Sequence, residues 1–163
     1  MVRAGVRPKP RCRAGLWRPA RFRGTPQFET GAQLTRPLFL LFNHEFTPDQ
    51  EADARASLGV ERVVKLPKDL QEIWSEIPPE LEAISPRLDP IRRWLELQAV
   101  PGDYVLIQGD FGATFLMIQF ALEKNLIPIY STSHRKALET RQPDGSIVLT
   151  HHFRHTRFRH YGR

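Results

Sequence analysis

The chain predicts an α/β fold: a three-layer arrangement on a mostly parallel sheet, with one antiparallel edge strand at the C-terminus. Three observations carry this. Short continuous apolar runs at residues 37–42 and 104–107 have the composition of strands buried on both faces. Each run ends in a polar turn, Asn43-His44-Glu45 or Gln108-Gly109-Asp110, with a helix signal behind it. The stretch YVLIQGDFGATFLMIQFALEKNLIPIYSTSHRKALE, residues 104–139, reads strand, turn, helix, turn, strand, which is the sequence form of a parallel βαβ unit.

In chain order, residues 37–42 form the first strand. Thr47 reads as an N-cap, Pro48 as the first helical residue, and Gln50 completes a capping box. The helix spans 48–58 and stops at Gly59. Residues 60–66 form a second strand. Residues 67–77 form a short helix with Leu70, Ile73 and Trp74 on one face, ended by Pro78-Pro79. Residues 79–97 are helical in period, with Leu81, Ile84, Leu88, Ile91, Trp94 and Leu95 recurring at threes and fours, and Pro86 and Pro90 divide or bend this helix. The βαβ unit supplies a strand at 104–107, a helix at 111–122 and a strand at 127–130, which ends in a loop Ser131-Thr132-Ser133. A helix is expected around Arg135, with Glu139 as its i,i+4 partner. Pro143-Asp144-Gly145-Ser146 then turns the chain into a strand running to residue 159. Two strands with no crossover helix between them are antiparallel. The expected order is β-α-β-α-α-β-α-β-β.

The formal charge of +6 is unevenly spread. Residues 1–36 hold nine basic residues against Glu29 alone, whereas residues 37–163 carry 15 basic and 17 acidic residues. The basic character therefore belongs to an extension, residues 1–35, that is rich in Arg, Pro and Gly and without helical or strand period. It reads as disordered, with a single domain at 36–163. Such an extension suits an organellar targeting peptide, a nucleic-acid arm, or a segment without function that reflects an upstream start codon. Within the domain, residues 131–163 hold seven basic residues, two acids and five of the six His, a cationic surface that suits a localised anionic ligand. Cys12 is the only cysteine, so intrachain disulfides and cysteine zinc sites are excluded and a cytoplasmic protein is expected. No apolar run approaches the roughly 20 residues of a membrane span.

Ligands of open parallel sheets bind beyond the carboxyl ends of the strands. The candidates there are Asn43 and His44 after the first strand; Gly109, Asp110, Gly112, Ala113 and Thr114 at the turn into the long helix; and Ser131, Thr132, Ser133, Arg135 and Lys136 after the next strand. A helix N-terminus at Gly112–Thr114 favours an anion. Each has a plainer reading. Gly109 and Gly112 allow a tight turn and close packing, because GDFGAT lacks the GK[ST] lysine of a P-loop. Asn43 and His44 make an Asx-type turn, Asp110 caps the helix, and His134 is a solvated neighbour of Arg135. Arg157 and Arg159, two apart on a strand, form a solvated basic stripe. His151, His152 and His155 do not make a metal site, since adjacent His on a strand point to opposite faces and no Cys supports them.

Five segments taken in order, FNHEFTPDQ, LPKDLQEIWSEIPPELEAI, GDYVLIQGDFGATFLMI, IPIYSTSHRKALE and HHFRHTRFRHYG, resemble a small stand-alone family of CRISPR-associated accessory proteins of type III systems. That family is related to the CRISPR-associated Rossmann-fold (CARF) sensors and to ring nucleases. The resemblance covers residues 36–163. It implies a Rossmann-like homodimer that binds cyclic oligoadenylate, with cyclic tetra-adenylate the expected ring. It also implies a metal-independent ring nuclease, without cofactor or stable protein partner, that linearises the messenger. The 2′-hydroxyl would attack its own 3′-phosphate and leave 2′,3′-cyclic phosphate ends. On this reading Arg135 and Lys136 neutralise developing charge, and His44 and His155 transfer protons. The backbone N–H groups of Gly112 to Thr114 hold phosphate, Ser131, Thr132 and Ser133 bond ribose or phosphate, and Arg157 and Arg159 hold the rest of the ring. Asp110 caps the helix or bonds ribose or adenine. The alternatives are a non-catalytic sensor or sponge of the same ligand, and a nucleic-acid-binding accessory protein.

Overall fold

The computed structural model describes residues 36–141, Asp144 and residues 147–162. The expectation for residues 1–35 lies outside the described residues, as does most of the turn at 143–146. The elements are β1 (Arg36–Phe42), α1 (Pro48–Leu58), β2 (Val60–Lys65), α2 (Lys68–Ser75), a 3₁₀ turn (Ser85–Leu88), α3 (Asp89–Gln98), β3 (Tyr104–Gln108), α4 (Phe111–Glu123), β4 (Ile127–Arg141) and β5 (Ile147–His160). Five strands form one sheet in the order β2-β1-β3-β4-β5. The first four are parallel and β5 runs antiparallel to β4. The expected mostly parallel α/β sheet with an antiparallel edge pair is therefore what the chain forms.

The period-two alternation of β1 separates the two apolar clusters. Leu38 and Leu40 lie with Ala54 of α1, Leu106, Ile129 and Phe158. Phe39 and Leu41 lie with Leu70 and Trp74 of α2, Ile91 and Leu95 of α3, and Met117 and Phe120 of α4. Helix α1 thus covers one face and α2, α3 and α4 the other. The ends of α1 form as the sequence predicts. Thr47 Oγ1 accepts from the Gln50 N–H (3.2 Å), Gln50 Oε1 accepts from the Thr47 N–H (2.9 Å), and Gly59 closes the helix in the left-handed region at φ 67°.

Two expectations are corrected. Residues 79–84 are not helical; regular helix begins only at the 3₁₀ turn and α3, because Pro78, Pro79 and Pro86 deny the segment its backbone donors. The larger correction concerns residues 131–141, which are strand and not loop and helix. Strand β3 pairs with β4 only as far as Ile129, after which β4 and β5 continue as a two-stranded ribbon to the pair Arg141 and Ile147. Lys136, Ala137, Leu138 and Glu139 are good helix formers, but thirteen cross-strand pairs override that local preference. Arg135 and Glu139 accordingly do not form a helical i,i+4 pair. Among the described residues, no helix is long and apolar enough to cross a membrane.

Candidate functional site

The strand order reverses direction at the centre of the sheet. β1 leads into α1 on one face, and β3, its neighbour, leads into α4 on the other. The connections leaving the carboxyl ends of β1 and β3 therefore diverge to opposite faces, and this is the switch point at which open parallel sheets take ligands. Asn43 and His44 lie exposed on the β1 side, the His44 ring edge-on to Phe42 at 5.5 Å. Gly109, Asp110 and Phe111 lie on the β3 side, and Phe111 is 95% exposed.

The turn into α4 is closely packed. A methyl group on Gly109 would stand 3.0 Å from two ring carbons of the buried Trp74, and one on Gly112 would stand 3.0 Å from Ile84. Asp110 caps the helix, its Oδ1 accepting from the Ala113 N–H (2.9 Å), while the Thr114 N–H donates to the Asp110 carbonyl (2.8 Å). Of the N–H groups expected to hold a phosphate, those of Ala113 and Thr114 are thus committed within the cap, and Gly112 retains the free position with Phe111. The Thr114 hydroxyl is buried, with no hydrogen-bond partner among the described residues.

At Ser131 the sheet changes character. The Gln108 side chain acts as one more rung of the β3–β4 ladder: Oε1 accepts from the Ser131 N–H (2.8 Å) and Nε2 donates to the Ser131 carbonyl (3.3 Å). An amide can do this because it carries both a donor and an acceptor. The rung fixes the backbone of Ser131 where β4 leaves β3. Its hydroxyl then joins a chain of side chains that spans three elements. Gln50 Nε2 donates to Ser131 Oγ (3.1 Å), Ser131 Oγ lies 2.7 Å from His155 Nδ1, and His155 Nε2 lies 2.8 Å from Asp53 Oδ2.

The directions of the two bonds to His155 follow from the tautomer and charge of its ring. An ionised carboxylate only accepts, so His155 carries hydrogen on Nε2. In the neutral ring, Nδ1 must then accept, and Ser131 is the donor. Gln50 is oriented at the other end, because its Oε1 accepts from the Thr47 N–H. The imidazole is largely enclosed, its side chain 6% exposed against 25% for Asp53, and its ring centroid is 4.6 Å from that of Phe158.

A bulge puts His155 there. Ser131 pairs with Phe158 and Thr132 with Arg157, but Ser133 pairs with His155, leaving Thr156 as an extra residue. Without it, His155 would alternate onto the opposite face from Phe158. Thr132 contributes to the local geometry by donating its hydroxyl to the Arg157 carbonyl (2.9 Å).

Beyond the bulge, the register sets His134 opposite Arg154 and Lys136 opposite His152. These four, with His155 and Thr156, line an open cavity of about 600 Å³. Each pair sets a permanent cation, Arg154 or Lys136, opposite an imidazole, so this face is cationic. Arg154 also approaches Asp49 at 3.8 Å in an exposed pair of little energetic weight. Arg135 is separated from Lys136 by the strand alternation. It contacts His151 through Nη2 (2.7 Å) and Nε (3.2 Å) and lies 5.9 Å from the Phe153 ring centroid. Arg157 and Arg159 are exposed on β5 nearer the sheet.

The structure therefore brings Ser131 and His155 together and sets Lys136 in a cationic cluster with His134, His152 and Arg154. It leaves His44 and Asn43 exposed after β1, outside the Ser131–His155 hydrogen-bond chain, and puts Arg135 on the other ribbon face. Asp53, Gln50 and Gln108 are absent from the sequence-derived set. One signal was available: PDQEADARASL has no apolar stripe, so a helix covering the sheet must turn polar groups inward. Gln50 and Ala54 are its buried residues. Among the described residues, no three His, Cys, Asp or Glu side chains gather as a metal site.

The fold is that of an α/β protein with a mostly parallel five-stranded sheet and an antiparallel edge pair extended into a cationic ribbon. The chain belongs to the Uncharacterized protein MJ1673 family, whose model matches residues 36–159. It is similar to Uncharacterized protein MJ1673 of Methanocaldococcus jannaschii, with 54% identity over 124 residues, which cover 76% of this chain and 95% of that protein. No solved structure matches the chain.

Proposed function

We propose that the domain is a Rossmann-like three-layer sandwich that binds cyclic oligoadenylate, with cyclic tetra-adenylate the preferred ring, and opens it as a ring nuclease. The observation that carries this reading is the open cavity of about 600 Å³ on the ribbon, lined by Lys136, Arg154, His134, His152 and His155. An anionic ligand complements the positive charges of Lys136 and Arg154 there. The exposed Phe111 ring offers an adenine a stacking surface, and the free N–H groups at the start of α4 favour a phosphate. The resemblance of the five sequence segments to type III CRISPR accessory proteins supplies the identity of the nucleotide.

The chemistry is attack of a ribose 2′-hydroxyl on the adjacent phosphate without metal, giving linear products with 2′,3′-cyclic phosphate ends. The protein works as a symmetric homodimer, and the exposed Phe115 and Leu122 of α4 face the partner copy. The full chain, incubated with labelled cyclic tri-, tetra- and hexa-adenylate in excess EDTA, tests the proposal. Linear product from the tetra-adenylate ring is expected. A bound but intact ring makes the protein a sensor or sponge, and failure to bind any ring at micromolar concentration overturns the reading. Binding of single-stranded RNA in place of every ring would assign the ribbon to nucleic acid.

A further inference from the structure

The geometry points to a proton relay that opens to the ligand at Ser131, with His155 as the buried base and Asp53 and Gln50 as positioning residues. This rests on the functional reading above and assigns that site its proton acceptor.

A hydroxyl has one hydrogen and two lone pairs. With His155 neutral, Ser131 donates its hydrogen to Nδ1 and accepts from Gln50, which leaves one lone pair uncommitted. Ser131 is half-buried at the carboxyl edge, where the Gln108 rung fixes its backbone. A ligand hydroxyl can donate to that lone pair. As the ribose oxygen forms its bond to phosphorus, its proton passes to Ser131 Oγ and the Ser131 proton passes to His155 Nδ1. Asp53 faces the resulting imidazolium across 2.8 Å. With His155 protonated, Nδ1 becomes a donor and Ser131 turns its own hydrogen outward. The 5′-oxygen leaves from the opposite apex of the phosphorane and takes its proton from water, and His155 then returns its proton to solvent through Ser131. Atoms and charge balance with water as the proton donor to the leaving oxygen. The charged and titratable groups around His155 are Asp53 from α1, His134 and Lys136 from β4, and His152 and Arg154 from β5. Asp49 of α1 faces Arg154.

A purely structural network would also tie α1 to the ribbon, so the test needs readouts that such a role leaves unmoved. The wild-type chain and the variants Ser131→Ala, Ser131→Thr and Asp53→Asn are compared with labelled cyclic tetra-adenylate. Binding, single-turnover rate against pH, and Tm are measured on each. Nitrogen NMR assigns the tautomer of His155.

The wild-type rate is expected to fall toward acid as Nδ1 takes up a proton. Ser131→Ala should lose about 100-fold or more in rate, the range of a general base, with ring affinity within about threefold. Ser131→Thr should retain most of the rate. Asp53→Asn should slow turnover, displace the acid limb and abolish the preference for Nε2–H that the wild type shows. An active wild type whose Ser131→Ala and Asp53→Asn variants keep its rate and pH profile overturns the relay alone. So does a neutral His155 protonated on Nδ1. A wild type that opens no ring overturns the functional reading and the relay with it.

Discussion

Gly109 separates a packing role from a ligand role, because the residue it touches is known. Alanine at 109 places a methyl group 3.0 Å from Cε2 and Cζ2 of Trp74 and 3.1 Å from Nε1, where ordinary contact begins at 3.4 Å. Trp74 cannot withdraw: it is fully buried among Leu70, Leu88, Ile91 and Ile107, and Nε1 donates to the Gln108 carbonyl at 3.4 Å. Overpacking of this kind costs about 1–3 kcal/mol. The φ of Gly109 is outside the positive range, so alanine adopts it and recovers about 0.4–1 kcal/mol from the stiffer unfolded chain. The net expectation for Gly109→Ala is a loss of about 1–2 kcal/mol, or about 3–6 °C in Tm for a chain of this size. Trp74→Phe removes the contacting atoms and is itself destabilising. In that background the alanine should be neutral. Urea unfolding of the four proteins of the cycle, at constant m-value, measures the coupling, expected at about 1–2 kcal/mol. Additivity within about 0.5 kcal/mol would refute the packing account. So would unchanged stability of Gly109→Ala accompanied by lost ligand binding, which would return the glycine to the site.

Other expectations concern the C-terminus, the ribbon and assembly. The Tyr161 hydroxyl donates to the Ile107 carbonyl (2.8 Å), and burial, reinforced by Tyr130, raises its pKa above the usual 10.0. A group whose pKa is raised on folding stabilises fully below the unfolded value. Wild-type stability should therefore fall as pH rises past about 10, and Tyr161→Phe should flatten that decline while costing about 1 kcal/mol at neutral pH, read by urea melts across the range. Lys136→Ala should weaken ring binding and its salt dependence with Tm little changed, because Lys136 is exposed on the ribbon; Arg135→Ala should act less on binding, as titrations at two salt concentrations would reveal. Sedimentation at micromolar concentration should give a dimer that Phe115→Glu or Leu122→Glu dissociates, and an active monomer would overturn the homodimer reading.

Much of the frame was legible in the residues, for local reasons. The capping box at Thr47 and Gln50, the stop at Gly59 and the apolar runs of β1 and β3 depend on neighbours within a few positions, and these elements formed as expected. The ribbon was legible only in its β5 half and in its antiparallel sense. SHRKALE carries helix formers, and only its pairing with residues far along the chain makes it a strand. The site was legible in part. Ser131 and His155 could be singled out by residue type and position, but their meeting depends on a bulge at Thr156 that has no composition signature. Gln50 is 81 residues from Ser131, and Asp53 is 102 from His155. No periodicity reaches across such separations; tertiary structure alone sets them.

The ribbon has a consequence for how this protein behaves in bulk. β5 ends the sheet order, and past Ser131, where the Gln108 side chain makes the last rung, β4 has no β3 partner, so among the described residues the ribbon bares backbone along both its sides. Bare strand edges recruit further strands, and Leu138, Leu149 and Phe153, all exposed, give a recruited strand apolar surface to cover. The side chains of Lys136, Arg154, Arg157 and Arg159 work against this: a second ribbon adding alongside would bring like charges face to face. The same cations that attract a ligand therefore keep the chains from fibrous self-association. Charge-removing variants made to probe binding will also be the ones most prone to aggregate, and so will the wild type once polyanions or concentrated salt screen the ribbon.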